Sequence, residues 1–106
     1  MLYLHGGGYV IGSVATHAGL IDGIGRAAGC RVLALDYRLA PEHPFPAAPD
    51  DCLTAYRWAL ANGCDARDMV FLGDSAGGNL ALVTLSRTRR LREPLPACAV
   101  LLSPAV

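Results

Sequence analysis

The chain has 106 residues, of which 53% are hydrophobic and 17% are charged, and its formal net charge is zero. This length accommodates one domain with one hydrophobic core, and the composition excludes a disordered chain. A neutral charge balance gives no reason to expect binding to nucleic acid or to an anionic membrane. The chain has no apolar run long enough to span a membrane and no signal-peptide pattern at Met1–His5, which predicts a cytoplasmic protein.

The first half of the chain predicts a strand, a helix and a second strand. Leu2–His5 is an apolar run that ends in glycines, as expected of a buried strand entering a loop. With Thr16 as N-cap, apolar residues recur at helical spacing until Gly29 ends the segment. Arg31–Tyr37 is apolar on both faces, which is typical of a strand in a parallel sheet covered on both sides.

A proline-rich loop precedes the second predicted helix. Pro49 begins this helix, Asp50 and Asp51 occupy its first turn, where the helix dipole favours carboxylates, and Gly63 follows it. The remaining elements are a strand at 69–72, a helix from 76 to about 87 and a strand at 97–102. This strand–helix alternation predicts an α/β fold with a mostly parallel sheet, right-handed crossovers and helices on both faces.

The four cysteines, Cys30, Cys52, Cys64 and Cys98, are widely separated. Their spacing matches neither the close pairs of a metal site nor a small disulfide scaffold. We therefore expect no metal site, and we expect these residues to be buried as small hydrophobic side chains.

The segment Gly73-Asp74-Ser75-Ala76-Gly77 fits the pattern G-x-S-x-G and lies between a predicted strand and a predicted helix. A sharp strand-to-helix turn pushes the serine hydroxyl above the sheet, and side chains at Gly73 and Gly77 would collide across it. The helix N-terminus beside the hydroxyl favours a developing oxyanion. Ser75 is therefore a candidate nucleophile. A glycine-rich helix start with an ordinary N-cap serine is the alternative.

The segment His5-Gly6-Gly7-Gly8 follows the first strand at its C-terminal end, where ligands bind in open α/β sheets. Acyl transfer requires two backbone N–H donors aimed at the developing oxyanion, and glycine lets the backbone approach it closely. A phosphate-binding loop, the alternative, would need a G-K-[ST] ending or a G-x-G-x-x-G frame, and neither is present.

These two motifs, with Asp36-Tyr37-Arg38-Leu39-Ala40-Pro41-Glu42 between them, resemble the hormone-sensitive lipase family of esterases in order and spacing. The resemblance implies that residues 1–106 are the central, nucleophile-bearing part of an α/β-hydrolase core domain, truncated at both ends. It implies hydrolysis of small carboxylic esters, commonly with short acyl chains, through a serine acyl-enzyme and with no metal or organic cofactor.

The resemblance also implies roles for individual residues. Ser75 matches the nucleophile, and Asp74 is its structural neighbour, not the triad acid. The backbone N–H groups of Gly7, Gly8 and Ala76 match the oxyanion hole. Residues 9–11 (Tyr9, Val10 and Ile11) resemble a segment that leads into the acyl-pocket wall, with plain loop packing as the alternative.

The general base and the acid that Ser75 requires are not evident in the chain. In this fold both follow the serine, yet the only acid after Ser75 is Glu93, and no histidine follows. We interpret the upstream candidates as structural (His5, Asp36) or as exposed or locally hydrogen-bonded (His17, His43). The sequence therefore predicts that the triad acid and histidine, and the family's cap, lie outside these residues.

The arginines at 87, 89, 90 and 92 fall at a predicted helix end, where cations complement the dipole, and we expect a solvated helix end and no nucleic-acid partner. Two alternatives to an ester hydrolase remain: a non-catalytic binding protein similar to the plant gibberellin receptor, and an amidase or thioesterase. The combination of Ser75 with both oxyanion glycines favours an enzyme. The sequence leaves the oligomeric state open.

Overall fold

The computed structural model describes residues 1–105. Its elements in chain order are β1 (Leu2–Leu4), α1 (Ala18–Ala28), β2 (Leu33–Leu35), α2 (Ala47–Ala61), a 3₁₀ helix (Ala66–Asp68), β3 (Val70–Asp74), α3 (Ala76–Arg90) and β4 (Cys98–Leu102). The strands form one sheet in the order β2-β1-β3-β4, and every neighbouring pair is parallel. The predicted α/β alternation and parallel sheet are confirmed.

Side chains alternate between the two faces of the sheet, and each face is covered by helices. On one face Leu2, Leu4 and Phe71 belong to a buried cluster that includes residues of α2 and α3. On the other face Tyr3 packs with Ile21 of α1. The central strands β1 and β3 are therefore buried on both sides, which explains why their sequences are apolar without a polar alternation.

The strands differ in length from the prediction because pairing ends where a neighbour ends. β1 has three residues, so only Leu33–Leu35 of the predicted longer strand have partners in it. β3, in contrast, runs past Leu72 because Gly73 and Asp74 pair with Leu101 and Leu102 of β4. Asp74 is therefore the last residue of a central strand.

The helix α1 begins two residues after the predicted N-cap. Its preceding residue is His17, which makes no side-chain capping bond. The Thr16 hydroxyl is used within the preceding turn, where it accepts a hydrogen bond from the Ser13 N–H and donates to the Ser13 carbonyl, at 2.9 Å each. The prediction of Thr16 as N-cap is therefore wrong. Gly29 ends the helix as predicted, with a left-handed φ of 64°.

The helix α2 begins at Ala47, two residues before the predicted start at Pro49. Asp50 lies in the first turn as predicted, but Asp51 does not. The carboxylate of Asp51 accepts from the backbone N–H of Arg38 at 2.8 Å and pairs with its guanidinium at 2.9 Å. This residue therefore holds the loop after β2 against α2.

Two ion pairs connect α2 to α3 and the residues after it. The prediction that Arg87 belongs to a solvated helix end is wrong, because its guanidinium lies 2.9 Å from the carboxylate of Asp50. Arg57 binds Glu93 through two guanidinium nitrogens. Partly exposed pairs of this kind contribute little to stability.

Only one of the four cysteines is buried. Cys52 is fully buried inside α2, and this burial raises the pKa of its thiol to about 12. The prediction of burial is wrong for the other three, which are exposed. Cys30 and Cys64 follow helix ends, and Cys98 lies on the outward face of the edge strand β4.

Within residues 1–105, no group of three or more His, Cys, Asp or Glu side chains is arranged to hold a metal ion. None of the described helices is both long and apolar enough to cross a bilayer.

Candidate active site

The turn between β3 and α3 carries Ser75 in an unusual backbone conformation. Its φ of 50° and ψ of −116° lie outside the strand and helix regions, and such conformations cluster at functional sites. The Ser75 N–H donates to the Leu102 carbonyl at 2.9 Å, and the Ser75 carbonyl accepts from the Asn79 N–H at 3.2 Å. These backbone hydrogen bonds hold the strained residue in place.

The side chain of Ser75 is exposed and makes no capping hydrogen bond to α3. In the described part of the chain its hydroxyl has no hydrogen-bond partner. An ordinary N-cap serine would accept a hydrogen bond from the first turn of the helix. The geometry therefore argues against the N-cap alternative and leaves the hydroxyl accessible.

Two glycines allow this turn to pack closely. A Cβ at Gly73 would overlap the Gly77 carbonyl across the turn, as predicted. A Cβ at Gly77 would overlap the Leu4 carbonyl at the end of β1. The predicted clash across the turn is therefore correct for Gly73. At Gly77 a side chain would instead clash with β1, because the start of α3 lies directly against this central strand.

The loop after β1 has three consecutive residues with positive φ: Gly7 at 130°, Gly8 at 62° and Tyr9 at 69°. The Gly7 carbonyl accepts from the N–H groups of Val10 at 3.2 Å and Ile11 at 3.1 Å, which closes a tight turn. Glycine adopts positive φ without steric cost, so Gly7 and Gly8 suit this turn, whereas Tyr9 does not have that freedom.

The backbone N–H groups of this loop differ in whether they have an acceptor. Gly6 donates to the carboxylate of Asp74 at 3.0 Å. The N–H groups of Gly7 and Gly8 donate to no other group between residues 1 and 105. Ala76 is the first residue of α3, where an N–H has no intrahelical acceptor. Among the residues that the structure describes, the three donors predicted for an oxyanion are thus not engaged elsewhere.

The carboxylate of Asp74, immediately before Ser75, lies within hydrogen-bonding distance of three groups. Its Oδ1 accepts from the Tyr3 hydroxyl at 2.6 Å and from the Gly6 N–H at 3.0 Å, and its Oδ2 lies 3.3 Å from Nε2 of His17. Burial alone would raise the pKa of Asp74, but the Tyr3 hydrogen bond and the contact with His17 outweigh it and hold the pKa below its usual value. The residue therefore remains an anionic acceptor.

His5 is buried and supports the loop through its ring, its Nδ1 and its carbonyl. Its ring is stacked on Tyr37 with centroids 4.4 Å apart, and its Nδ1 lies 2.7 Å from the Gly6 carbonyl. A carbonyl only accepts, so Nδ1 carries the proton in this contact. The Tyr37 hydroxyl donates to the His5 carbonyl at 2.6 Å. The segment that begins Asp36-Tyr37 thereby packs against His5 and supports the start of the loop.

His17 and His43 are placed differently from each other. His43 is exposed, as predicted. His17 has the predicted local contact, with Nδ1 3.2 Å from the Ser13 carbonyl, but its ring also reaches Asp74, 57 residues away in sequence. The sequence did not predict this second contact. In the part of the chain that the structure covers, no histidine hydrogen-bonds to Ser75.

The two candidate acids are also engaged elsewhere. Asp36 accepts from the Val14 N–H at 2.7 Å, in keeping with the structural role predicted for it. Glu93 accepts from Nε of Arg57 at 3.0 Å, and this hydrogen bond holds the pKa of Glu93 below its usual value. Within residues 1–105, neither carboxylate hydrogen-bonds to a histidine.

A cavity of about 470 Å³ opens beside the glycine loop. Gly8, Tyr9 and Val10 line one side of it, and Asn79 and Leu80 of α3 line another. Ile11, which the resemblance placed with Tyr9 and Val10 in a segment leading into the acyl-pocket wall, does not line this cavity and is 67% exposed.

Sequence reasoning missed three hydroxyl or amide groups that support the loop: those of Tyr3, Tyr37 and Asn79. A signal for Tyr3 exists, because it is the one polar side chain within the apolar strand that precedes the glycines. Asn79 offers a weaker signal, since it lies one helical turn after Ser75 on the same side of the helix.

Known proteins provide an independent comparison. A family model described as "alpha/beta hydrolase fold" matches residues 1–106. An acetyl-hydrolase of Streptomyces hygroscopicus is 50% identical over 104 residues, which are 98% of this chain and 35% of the relative. An ethyl acetate hydrolase of Pseudomonas putida is 46% identical over 97 residues, which are 88% of this chain and 30% of the relative.

Among solved structures, a crystal structure described as an esterase from the bacterial hormone-sensitive lipase family is similar with a TM-score of 0.96 and 60% identity. The match covers 98% of this chain and 35% of that one, so the chain spans about a third of the length of these relatives. The predicted resemblance to hormone-sensitive lipase esterases is confirmed, and the chain belongs to the α/β-hydrolase fold family.

Proposed function

We propose that a protein containing this chain hydrolyses small carboxylic esters through a serine acyl-enzyme. The observation that carries the proposal is the exposed hydroxyl of Ser75 on a strained turn, next to the loop that contains Gly7 and Gly8. Within residues 1–105, neither this hydroxyl nor the N–H groups of Gly7 and Gly8 have a hydrogen-bond partner. Relatives named acetyl-hydrolase and ethyl acetate hydrolase support substrates with short acyl groups.

In the proposed first step Ser75 Oγ forms a bond to the ester carbonyl carbon while its proton passes to a base. The carbonyl π electrons move to the oxygen, and the N–H groups of Gly7, Gly8 and Ala76 donate to that oxyanion. Each such donor typically contributes ~10²–10³ in rate. Collapse of this intermediate re-forms the carbonyl and breaks the bond to the alkoxy oxygen, which takes the proton back from the base and leaves as the alcohol. Water then attacks the acyl-enzyme, gives its proton to the base and releases the acid as Ser75 is reprotonated.

We further propose that the base and its orienting acid come from outside these residues, which would form only part of a core domain. Two facts support this proposal: the described residues present no histidine or carboxylate to the Ser75 hydroxyl, and the chain spans about a third of its relatives' length. The cytoplasmic location and the lack of a nucleic-acid partner stay predictions from the sequence.

A fluorophosphonate probe tests the role of Ser75, because it labels a serine only when a base activates it. We expect stoichiometric labelling of a protein extended to the relatives' full length, no labelling after Ser75→Ala, and unchanged labelling after Ser86→Ala. Ser86 is a suitable control because it is an exposed serine on the same helix. The 106-residue chain should label poorly. Strong Ser75-dependent labelling of that chain would show that an internal base exists.

A substrate series tests the reaction class. We expect p-nitrophenyl acetate and butyrate to be hydrolysed faster than a long-chain ester, an acyl thioester or an anilide. Amidases and thioesterases use the same nucleophile and oxyanion donors, so preference for the anilide or the thioester would replace the ester assignment. An extended protein that neither labels nor turns over any of these compounds would overturn the proposed function and favour a binding protein.

A further inference from the structure

Two residues close to Ser75 in sequence contact the loop that contains Gly7 and Gly8. Asp74 precedes Ser75 and accepts from the Gly6 N–H at 3.0 Å. Asn79 follows Ser75 by four residues, and its side-chain amide donates to the Tyr9 hydroxyl. Gly6 and Tyr9 are the two ends of the segment 6–9, which we call the glycine loop.

We propose that Asp74 and Asn79 are positioning residues that attach both ends of the glycine loop to the Ser75 turn. The nucleophile and its oxyanion donors are then held as one unit, although they come from segments about 70 residues apart. This inference rests on the proposed function for its catalytic consequence, but its structural content can be measured separately.

The first attachment is rigid because the Asp74 carboxylate is itself held. The Tyr3 hydroxyl donates to the same oxygen at 2.6 Å, and Tyr3 is buried in the sheet with 1% exposure. A Cβ on Gly6 would overlap the Asp74 carboxylate and approach its main-chain oxygen to 2.9 Å. The loop backbone therefore lies in van der Waals contact with the turn, and a hydrogen bond to a charged acceptor joins them.

The second attachment acts through Tyr9, whose positive φ of 69° is costly for a residue with a side chain. Its carbonyl accepts from the Ala40 N–H at 2.8 Å, and its hydroxyl binds the amide of Asn79. The backbone of Asn79 donates to the Ser75 carbonyl at 3.2 Å. Tyr9 is thus tied indirectly to Ser75, and these contacts offset the strain of its backbone.

These attachments order the glycine loop, because the two residues between them have little means of holding a fixed conformation by themselves. Gly7 and Gly8 have no side chains to pack, and Gly8 is exposed. Glycine loses more conformational freedom on ordering than any other residue. Oxyanion stabilisation depends on donors that are already in place, and a misplacement of about 1 Å costs ~10² in rate. Loosening either end of the loop should therefore lower kcat more than it changes KM.

Amide hydrogen exchange, read by mass spectrometry on the peptide covering residues 4–12, tests the attachment without any enzymatic assay. The variants are Asp74→Ala, Asp74→Asn and Tyr9→Phe in the full-length protein, with Ser86→Ala as a control that does not contact the loop. We expect exchange to be faster by about tenfold in Asp74→Ala, the factor expected when a hydrogen bond to a charged acceptor is lost. Tyr9→Phe should show a smaller increase, and Ser86→Ala none.

The Asp74→Asn variant distinguishes a positioning role of Asp74 from a general effect on protein stability. Its amide oxygen can still accept from Gly6, so Asp74→Asn should restore most of the exchange protection and most of the kcat lost in Asp74→Ala. For Asp74→Ala we expect kcat to fall by ~10–10² with KM changed less than about threefold.

Unchanged exchange over residues 4–12 in folded Asp74→Ala and Tyr9→Phe would overturn the inference. So would a rise in KM at constant kcat. If Asp74→Ala does not fold, Tyr9→Phe decides the question, because it removes one hydroxyl and keeps the ring. If the wild-type protein hydrolyses no ester, the proposed function fails, and the exchange measurement still decides whether the loop is attached in this way.

Discussion

Replacing Gly77 with alanine tests the packing of α3 against β1 with a single methyl group. The new Cβ would lie 2.5 Å from the Leu4 carbonyl carbon, 2.6 Å from the His5 carbonyl oxygen and closer still to the Leu4 oxygen. Non-bonded carbon atoms settle at about 3.5–4.0 Å, so one backbone would have to move by about 1 Å. Leu4 is fully buried in a central strand, and no side-chain rotation relieves the overlap.

The expected magnitude is the difference of two terms. Alanine is preferred over glycine inside a helix by about 1 kcal/mol. Overpacking costs about 1–3 kcal/mol, and a clash with backbone belongs at the upper end of that range. We therefore expect Gly77→Ala to lower the free energy of unfolding by about 2 kcal/mol. Because the shift falls directly after Ser75, we also expect ester hydrolysis to slow by ~10².

Gly23→Ala is the matched control, since Gly23 lies in α1 and a Cβ there meets nothing within 4 Å. That variant should gain about 1 kcal/mol from helix propensity and keep its activity. Urea unfolding followed by circular dichroism, together with p-nitrophenyl acetate turnover, measures both effects in the full-length protein. Equal stability of the two variants would refute the close approach of α3 to β1.

Three further predictions use other parts of the structure. Gly8→Val in the full-length enzyme should lower kcat by ~10²–10³ with a smaller change in KM, and an effect on KM alone would mean that the loop only binds substrate. Burial alone would raise the pKa of Asp74, but the Tyr3 hydrogen bond and the contact with His17 lower it by more, so the pKa of Asp74 in the folded protein lies below its usual value. Its stabilising contribution should therefore be complete above about pH 4 and disappear as the pH falls through the folded-state pKa, which acid titration of unfolding should show and Asp74→Asn should weaken. Burial raises the pKa of Cys52 to about 12, so iodoacetamide at pH 8 should modify the three exposed cysteines and spare Cys52, and its modification in the native protein would contradict its placement.

The order of elements and the motifs were readable from local patterns in the sequence. Apolar runs, helical spacing and glycine positions depend on residues within one turn or one strand of each other, so the alternation and the parallel sheet followed from them. The G-x-S-x-G pattern marked the strand-to-helix turn, because Gly73 and Ser75 meet conformational demands that few other residues satisfy. The sequence by itself thus determined the fold class and the family, and it predicted a nucleophile and oxyanion donors for the candidate site.

Only the tertiary structure decided how those residues are held. Thr16 was expected to cap a helix, yet its hydroxyl hydrogen-bonds to Ser13. Asp51 was expected in the first turn of α2, yet it lies beyond that turn and binds Arg38. The choice among several acceptors for one polar group depends on which segments the sheet order brings together. Asp74 shows this most clearly: its neighbour Gly6 is 68 residues away, and the two meet only because β1 lies directly beside β3. No local pattern encodes that contact, because it exists only after the strands have paired.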